Sequence, residues 1–175
     1  LPSIYPRVRA RRLRTRSGAR NLVRESVLTS ADLIQPLFVL EGDGADEPIS
    51  SMPALSRLTL PSLVARCRRA WDAGVPAVAL FPRVDDRHKT LDGRAAWDPN
   101  GLVPQTVKAL KDALPELLVI TDLALDPFSS LGQDGVVVDG EIHNERTIEA
   151  LVQQALCHAE AGADIVAPSD MMDGR

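Results

Sequence analysis

Aromatic side chains are scarce: Phe, Tyr and Trp make up 3% of the 175 residues. A core must therefore be assembled from Ala, Val, Leu and Ile, which suits close helix–strand packing better than an aromatic-rich β-sandwich. Cysteine is scarcer still. Cys67 and Cys157 each fall on the apolar stripe of a predicted helix, which excludes a disulfide framework and reads as two small core residues in a reducing compartment. No apolar run reaches the roughly 18 residues of a membrane span. The start, Leu1-Pro2-Ser3-Ile4-Tyr5, lacks the charged-then-apolar pattern of a secretory signal, and Leu1 in place of Met reads as a trimmed or partly ordered start. A cytoplasmic protein is expected.

Acid is missing from one region. Residues 1–20 hold seven arginines and no Asp or Glu. The whole chain carries −4, so removing those seven charges leaves −11 on residues 21–175. A basic arm is thus attached to an acidic body. Nucleic-acid binding would want more than the lone Tyr5 for stacking. An arm reaching onto an acidic neighbouring copy explains the asymmetry with fewer assumptions.

What is present, with 45% hydrophobic and 25% charged residues, is an ordinary globular body of alternating elements. Residues 21–32 read as a connector. Strands are expected at 33–40, at 77–81 closed by Pro82, at 117–121 and at 165–167. Helical spacing links Leu60, Leu63, Cys67, Ala70 and Trp71, with Pro61 in the first turn and Gly74 past the end. A second helix follows Val103, Val107, Leu110 and Leu114. A third follows Ile148, Leu151, Val152, Ala155, Leu156 and Ala159 and ends at Gly162. Residues 83–99 read as a charged loop. Residues 135–143 read as a hairpin turning at Asp139-Gly140.

The strands are uniformly apolar, as in a parallel sheet covered on both faces. Two α/β architectures compete: an open doubly wound sheet, and the first half of a (β/α)8 TIM barrel, which needs about 250 residues when complete. No Gly-x-Gly-x-x-Gly follows the first strand, which disfavours a dinucleotide site.

Successive parallel strands put their C-terminal ends on one face, and polar residues gather there. Asp122 lies inside an apolar run, where a carboxylate must be paired, so a functional role is expected. Asp126 and Asp134 are hard oxygen donors suited to Mg²⁺ rather than zinc, and equally ordinary turn residues before Pro127 and Gly135. Ser169 is expected to donate to a substrate or to cap a following helix opened by Asp170 and Asp173. His88, His143 and His158 share no spacing and read as structural or solvated. Of the lysines, Lys108 and Lys111 read as exposed, and neither they nor Lys89 looks like a desolvated amine at a strand end.

Several segments resemble one family in the expected order: Gln35-Pro36-Leu37-Phe38-Val39, Ser51-Met52-Pro53, Ala79-Leu80-Phe81-Pro82, Ala96-Trp97-Asp98-Pro99-Asn100-Gly101-Leu102, His158 to Asp164, and Val166 to Arg175. That family is porphobilinogen synthase, or delta-aminolevulinic acid dehydratase. The resemblance implies a TIM barrel with an N-terminal arm embracing a partner, assembled as a homo-octamer or related oligomer. It implies a lyase that condenses two 5-aminolevulinate molecules to porphobilinogen in tetrapyrrole and haem synthesis. Asp122, beside the substrate amine, and Ser169, lining the pocket, match family active-site positions.

The family's two Schiff-base lysines come from later strands, so residues 1–175 are expected to be an N-terminal half, inactive and poorly stable alone. Zinc-dependent members place three cysteines where this chain has Ala124, Asp126 and Asp134. The chain therefore resembles the aspartate-rich, magnesium-associated subgroup, with no catalytic zinc and with Mg²⁺ acting mainly at an allosteric site beyond residue 175. Leu131-Gly132-Gln133, where the family often has His-Gly-His, further disfavours a transition metal. The alternatives are another Schiff-base barrel aldolase, or an assembly role for the visible chain. Neither nucleic acid nor membrane is an expected partner.

Overall fold

The computed structural model describes residues 6–42 and 44–175; Leu1 to Tyr5, including the arm's one aromatic, lie outside the described residues. Strands β1 (Ile34–Leu40), β4 (Ala77–Arg83), β5 (Leu118–Leu123) and β8 (Ile165–Pro168) lie side by side and parallel, in chain order. Two short strands, β2 (Glu47–Pro48) and β3 (Ser56–Leu58), extend the sheet beyond β1, β3 parallel to β1 and β2 antiparallel to β3. Helices α2 (Leu60–Asp72), α3 (Leu102–Ala113) and α4 (Asn144–Glu160) alternate with the main strands, and each packs against the next.

This order decides between the two architectures. A doubly wound sheet reverses its strand order at a switch point and carries helices on both faces. Here the four main strands follow one another in chain order, as in a stretch of barrel, and only the short β2 and β3 lie on the far side of β1. Register shows the same division. Leu37, Val39, Val78, Leu80, Val119 and Leu123 belong to the core shared with the helices. The alternate row, Phe38, Phe81, Asp122 and Ala167, faces the other way, and there the Phe38 and Phe81 rings stand 5.9 Å apart.

The helices form where their boundaries dictate. Pro61 sits in the first turn of α2, where its missing N–H costs nothing. Gly74 follows at φ +84°, a conformation glycine adopts without strain. Thr147 Oγ1, at the start of α4, accepts from Val136 N at 3.0 Å and so ties the helix to the hairpin before it. That hairpin, β6 (Val137–Val138) and β7 (Glu141–Ile142), turns as the sequence indicates: Asp139 and Gly140 both have positive φ.

Several expectations need correction. β4 runs through Pro82 to Arg83, because Pro82 takes a register position opposite Val39 rather than ending the strand. β5 extends to Leu123, which puts Asp122 inside the strand. β8 is not covered on both faces: it is the sheet edge, and Ile165 and Val166 are exposed. The α4 stripe is wider than its buried face, leaving Val152 and Leu156 exposed toward the same side. The charged loop after β4 holds two short 3-10 turns, Asp86–His88 and Arg94–Trp97.

The arm carries a 3-10 turn, Ala10–Arg14, and a short helix α1, Ser17–Leu22, which runs across the expected boundary at residue 20. Within residues 6–29 every residue but Ala19 is exposed. No helix among the described residues is long and apolar enough to cross a membrane.

Candidate active site

β5 and β8 pair so that Asp122 stands opposite Ala167, which brings Ser169 to the same end of the sheet. Ser169 N donates to Leu123 O at 3.2 Å, anchoring that turn. The Ser169 hydroxyl lies near enough to the Asp122 carboxylate to favour its charged form. Burial raises the Asp122 pKa and the Asp134 charge adds to the rise, while the Ser169 hydrogen bond and the Leu123 N–H oppose it. Asp126, at the open rim, is raised by desolvation and then by Asp134 and Asp122, with its own N–H and Lys89 opposing. The four residues singled out by sequence thus share one electrostatic neighbourhood at the C-terminal mouth of the sheet.

They do not share a coordination sphere. Among the described residues no group of three or more His, Cys, Asp or Glu side chains converges tightly enough to hold a metal ion. Mg²⁺ demands near-octahedral oxygen donors, and Asp126 and Asp134 lack the further protein ligands that would complete such a set. The arrangement does not fit a resident metal. It can instead hold a monocation by charge and hydrogen bonds, and a half-buried carboxylate with a raised pKa can exchange a proton with a bound amine.

Ser169 opens no helix. Residues 169–175 are irregular, because the buried Asp170 carboxylate captures Met172 N at 2.7 Å and pairs with Arg175 Nε at 2.9 Å. Sequence reading took Asp170 for a helix-turn residue and missed this anchor; its place just past an apolar strand was the available signal.

The histidines divide. His88 Nδ1 lies 3.1 Å from Glu41 Oε2. His143 caps α4, its Nδ1 accepting from Arg146 N at 3.4 Å. His158 is fully buried. Lys111 is not the exposed residue expected: its Nζ reaches Asp164 Oδ2 at 2.9 Å and Leu117 O at 3.1 Å, at the opposite end of the sheet from Asp122. Lys108 Nζ donates to Pro99 O at 3.3 Å. Lys89, set aside in the sequence as no desolvated amine, stands at the carboxylate end and lines a cleft with Asp126. A larger cavity of about 630 Å³ between Glu41, His88, Trp97 and Gln105 takes in neither Asp122 nor Ser169.

Fold and site together define a barrel-type α/β chain with a carboxylate and hydroxyl cluster at the C-terminal ends of its strands. Comparison with known sequences makes the assignment particular. The delta-aminolevulinic acid dehydratase family profile matches residues 7–175, and the chain belongs to that family. It is 48% identical over 174 residues to the delta-aminolevulinic acid dehydratase of Bradyrhizobium diazoefficiens, covering 99% of this chain and 49% of the relative. With the Rhodobacter capsulatus protein of that name it shares 43% over 171 residues, covering 98% and 52%.

Among solved structures it matches the Toxoplasma gondii delta-aminolevulinic acid dehydratase (porphobilinogen synthase), in complex with the reaction product porphobilinogen. The TM-score is 0.93 at 45% identity, over 96% of this chain and 48% of that one. The chain spans about half the length of the relatives it matches, and its parallel sheet corresponds to part of a TIM barrel.

Proposed function

We propose that these residues form the N-terminal half of a porphobilinogen synthase, which joins two 5-aminolevulinate molecules into porphobilinogen with loss of two waters. The observation that carries the reading is the pairing of Asp122 with Ser169 at the mouth of the sheet, in a chain of this family. A half-buried carboxylate beside a hydroxyl suits a substrate ammonium: it holds the cation, then takes up a proton when the amine must become a nucleophile. Schiff-base chemistry needs a free, desolvated amine. Lys108 donates to Pro99 O, and Lys111 is held by Leu117 O and Asp164. Membership of the family implies that the Schiff-base lysines belong to strands outside residues 1–175, so that these residues alone are expected to be inactive.

The family resemblance, with Ala124, Asp126 and Asp134 standing where zinc-dependent members have cysteines, leads us to assign no zinc to this face and to place Mg²⁺ at an allosteric site outside residues 1–175. The homo-oligomer, an octamer in this reading, is joined through the arm, whose exposed Val8 and Leu13 are interleaved with arginine and have no cover in a single copy. A cytoplasmic location accords with two unpaired cysteines.

The test is turnover of 5-aminolevulinate by the whole protein in EDTA, with and without Mg²⁺. Absence of porphobilinogen in every condition refutes the reading, and rescue by zinc alone refutes the metal assignment. Deleting residues 1–20 should lower the assembly mass; an unchanged mass refutes the role of the arm.

A further inference from the structure

The loop that carries Ser169 takes its shape from side chains. Ser169 N reaches the backbone of β5 at Leu123 O. Past that point Met172 N bonds the Asp170 carboxylate at 2.7 Å, and Met172 O accepts from Arg175 Nη1 at 3.1 Å. Those two bonds stay within the loop. They set its bend and do not fix where it sits over the sheet.

Two further ties reach outside it. The Met172 side chain is buried in the core, an apolar contact that imposes no direction. The other is Asn144, the first residue of α4. Its Oδ1 accepts from Asp173 N at 2.9 Å, and its Nδ2 donates to Asp173 O at 3.0 Å. An amide that gives both its acceptor and its donor to one residue fixes position and orientation together, as a neighbouring strand would. Asn144 is itself held in place. His143 N donates to Val136 O at 2.9 Å, and Thr147 Oγ1 accepts from Val136 N at 3.0 Å. The first turn of α4 therefore joins the hairpin after β5 to the loop after β8. Both Asn144 bonds lie at the surface, where hydrogen bonds add little to global stability. Their effect is on geometry.

We propose that Asn144 is a positioning residue: by clamping Asp173 to the first turn of α4, it holds the Ser169 hydroxyl beside Asp122. The inference rests on the function proposed above and adds to it a residue from the opposite end of the α4–β8 unit.

The experiment uses the whole protein and begins with amide hydrogen exchange. In Asn144→Ala the amides of residues 169–173 should exchange about tenfold faster, as expected for a lost net hydrogen bond, while those of β5 keep their rates. In turnover, Asn144→Ala should lower kcat/KM by about three- to tenfold, no more than Ser169→Ala does. In the Ser169→Ala background it should cause no further loss. Asn144→Asp keeps the acceptor, loses the donor and carries a charge that suits a helix N-terminus; its Tm should be no lower than the parent's, and its kcat/KM should still fall. Unchanged exchange at residues 169–173 overturns the proposal whether or not the protein turns over. Equal losses with and without the Ser169 hydroxyl overturn it, as does a kcat/KM that falls only where Tm falls. An unmodified protein that makes no porphobilinogen refutes the proposed function instead, and the exchange rates still decide the clamp.

Discussion

Acid should weaken this fold through His158, by an amount that can be worked out. The ring lies on α4 with no exposed surface, and neither nitrogen meets a hydrogen-bond partner in good geometry. One turn earlier, Gln154 reaches Ala124 O from Nε2 at 3.4 Å, leaving its Oε1 unpartnered. Burial pushes the His158 pKa down to about 4, the Ala96 backbone opposing in part.

In the unfolded chain the imidazole titrates at its ordinary value near 6.5. Between those two values the unfolded chain binds a proton that the native state refuses. Stability is therefore complete above pH ~6.5 and falls as pH drops toward 4. Each tenfold drop in proton affinity is worth about 1.4 kcal/mol, so the full loss is about 3 kcal/mol. The assay is the unfolding of the whole protein, followed from pH 7 to 4, for the unmodified protein and His158→Leu. The variant should match or exceed the parent at pH 7, since it removes two unsatisfied polar atoms, and it should lose about 3 kcal/mol less on acidification. Parallel pH profiles, or an imidazole that titrates near 6.5 in the native protein by NMR, would refute the reasoning.

Asp164 ties the start of β8 to β5: its Oδ2 accepts from Val119 N at 2.8 Å and pairs with Lys111. Asp164→Ala strands that N–H and should cost about 2 kcal/mol, read as a lowered urea midpoint. At Gly135 a Cβ would collide with Ile142 Cγ2, so Gly135→Ala should cost about 1–3 kcal/mol in thermal unfolding by forcing the hairpin off α4. Asp122→Asn should lower kcat/KM by roughly 10²–10⁴-fold, as expected of a lost proton acceptor. Ser169→Ala, which removes one hydrogen bond, should cost on the order of tenfold; equal losses in steady-state kinetics would contradict these distinct roles.

Local signals carried far where they agreed with one another. The Pro61 start and Gly74 stop of α2 and the Asp139-Gly140 turn are backbone constraints, expressed regardless of what packs on them. Burial was less legible. An apolar strand looks the same at a sheet centre as at its edge, so the exposure of Ile165 and Val166 could not be read from their chemistry.

The amino-acid order by itself determined the alternation of strand and helix, the turn positions and the family, because these rest on periodicity, fixed φ preferences and contiguous motifs. It also placed Asp122 and Ser169 at strand ends. Only the tertiary structure decided that the four main strands lie side by side in chain order, that Asp122 lies beside Ser169 while among the described residues three aspartates fail to converge on a metal, and that Asp170 is an anchor rather than a residue of a helical first turn. Those outcomes depend on register between strands some 45 residues apart. Chain-local chemistry carries no record of that distance.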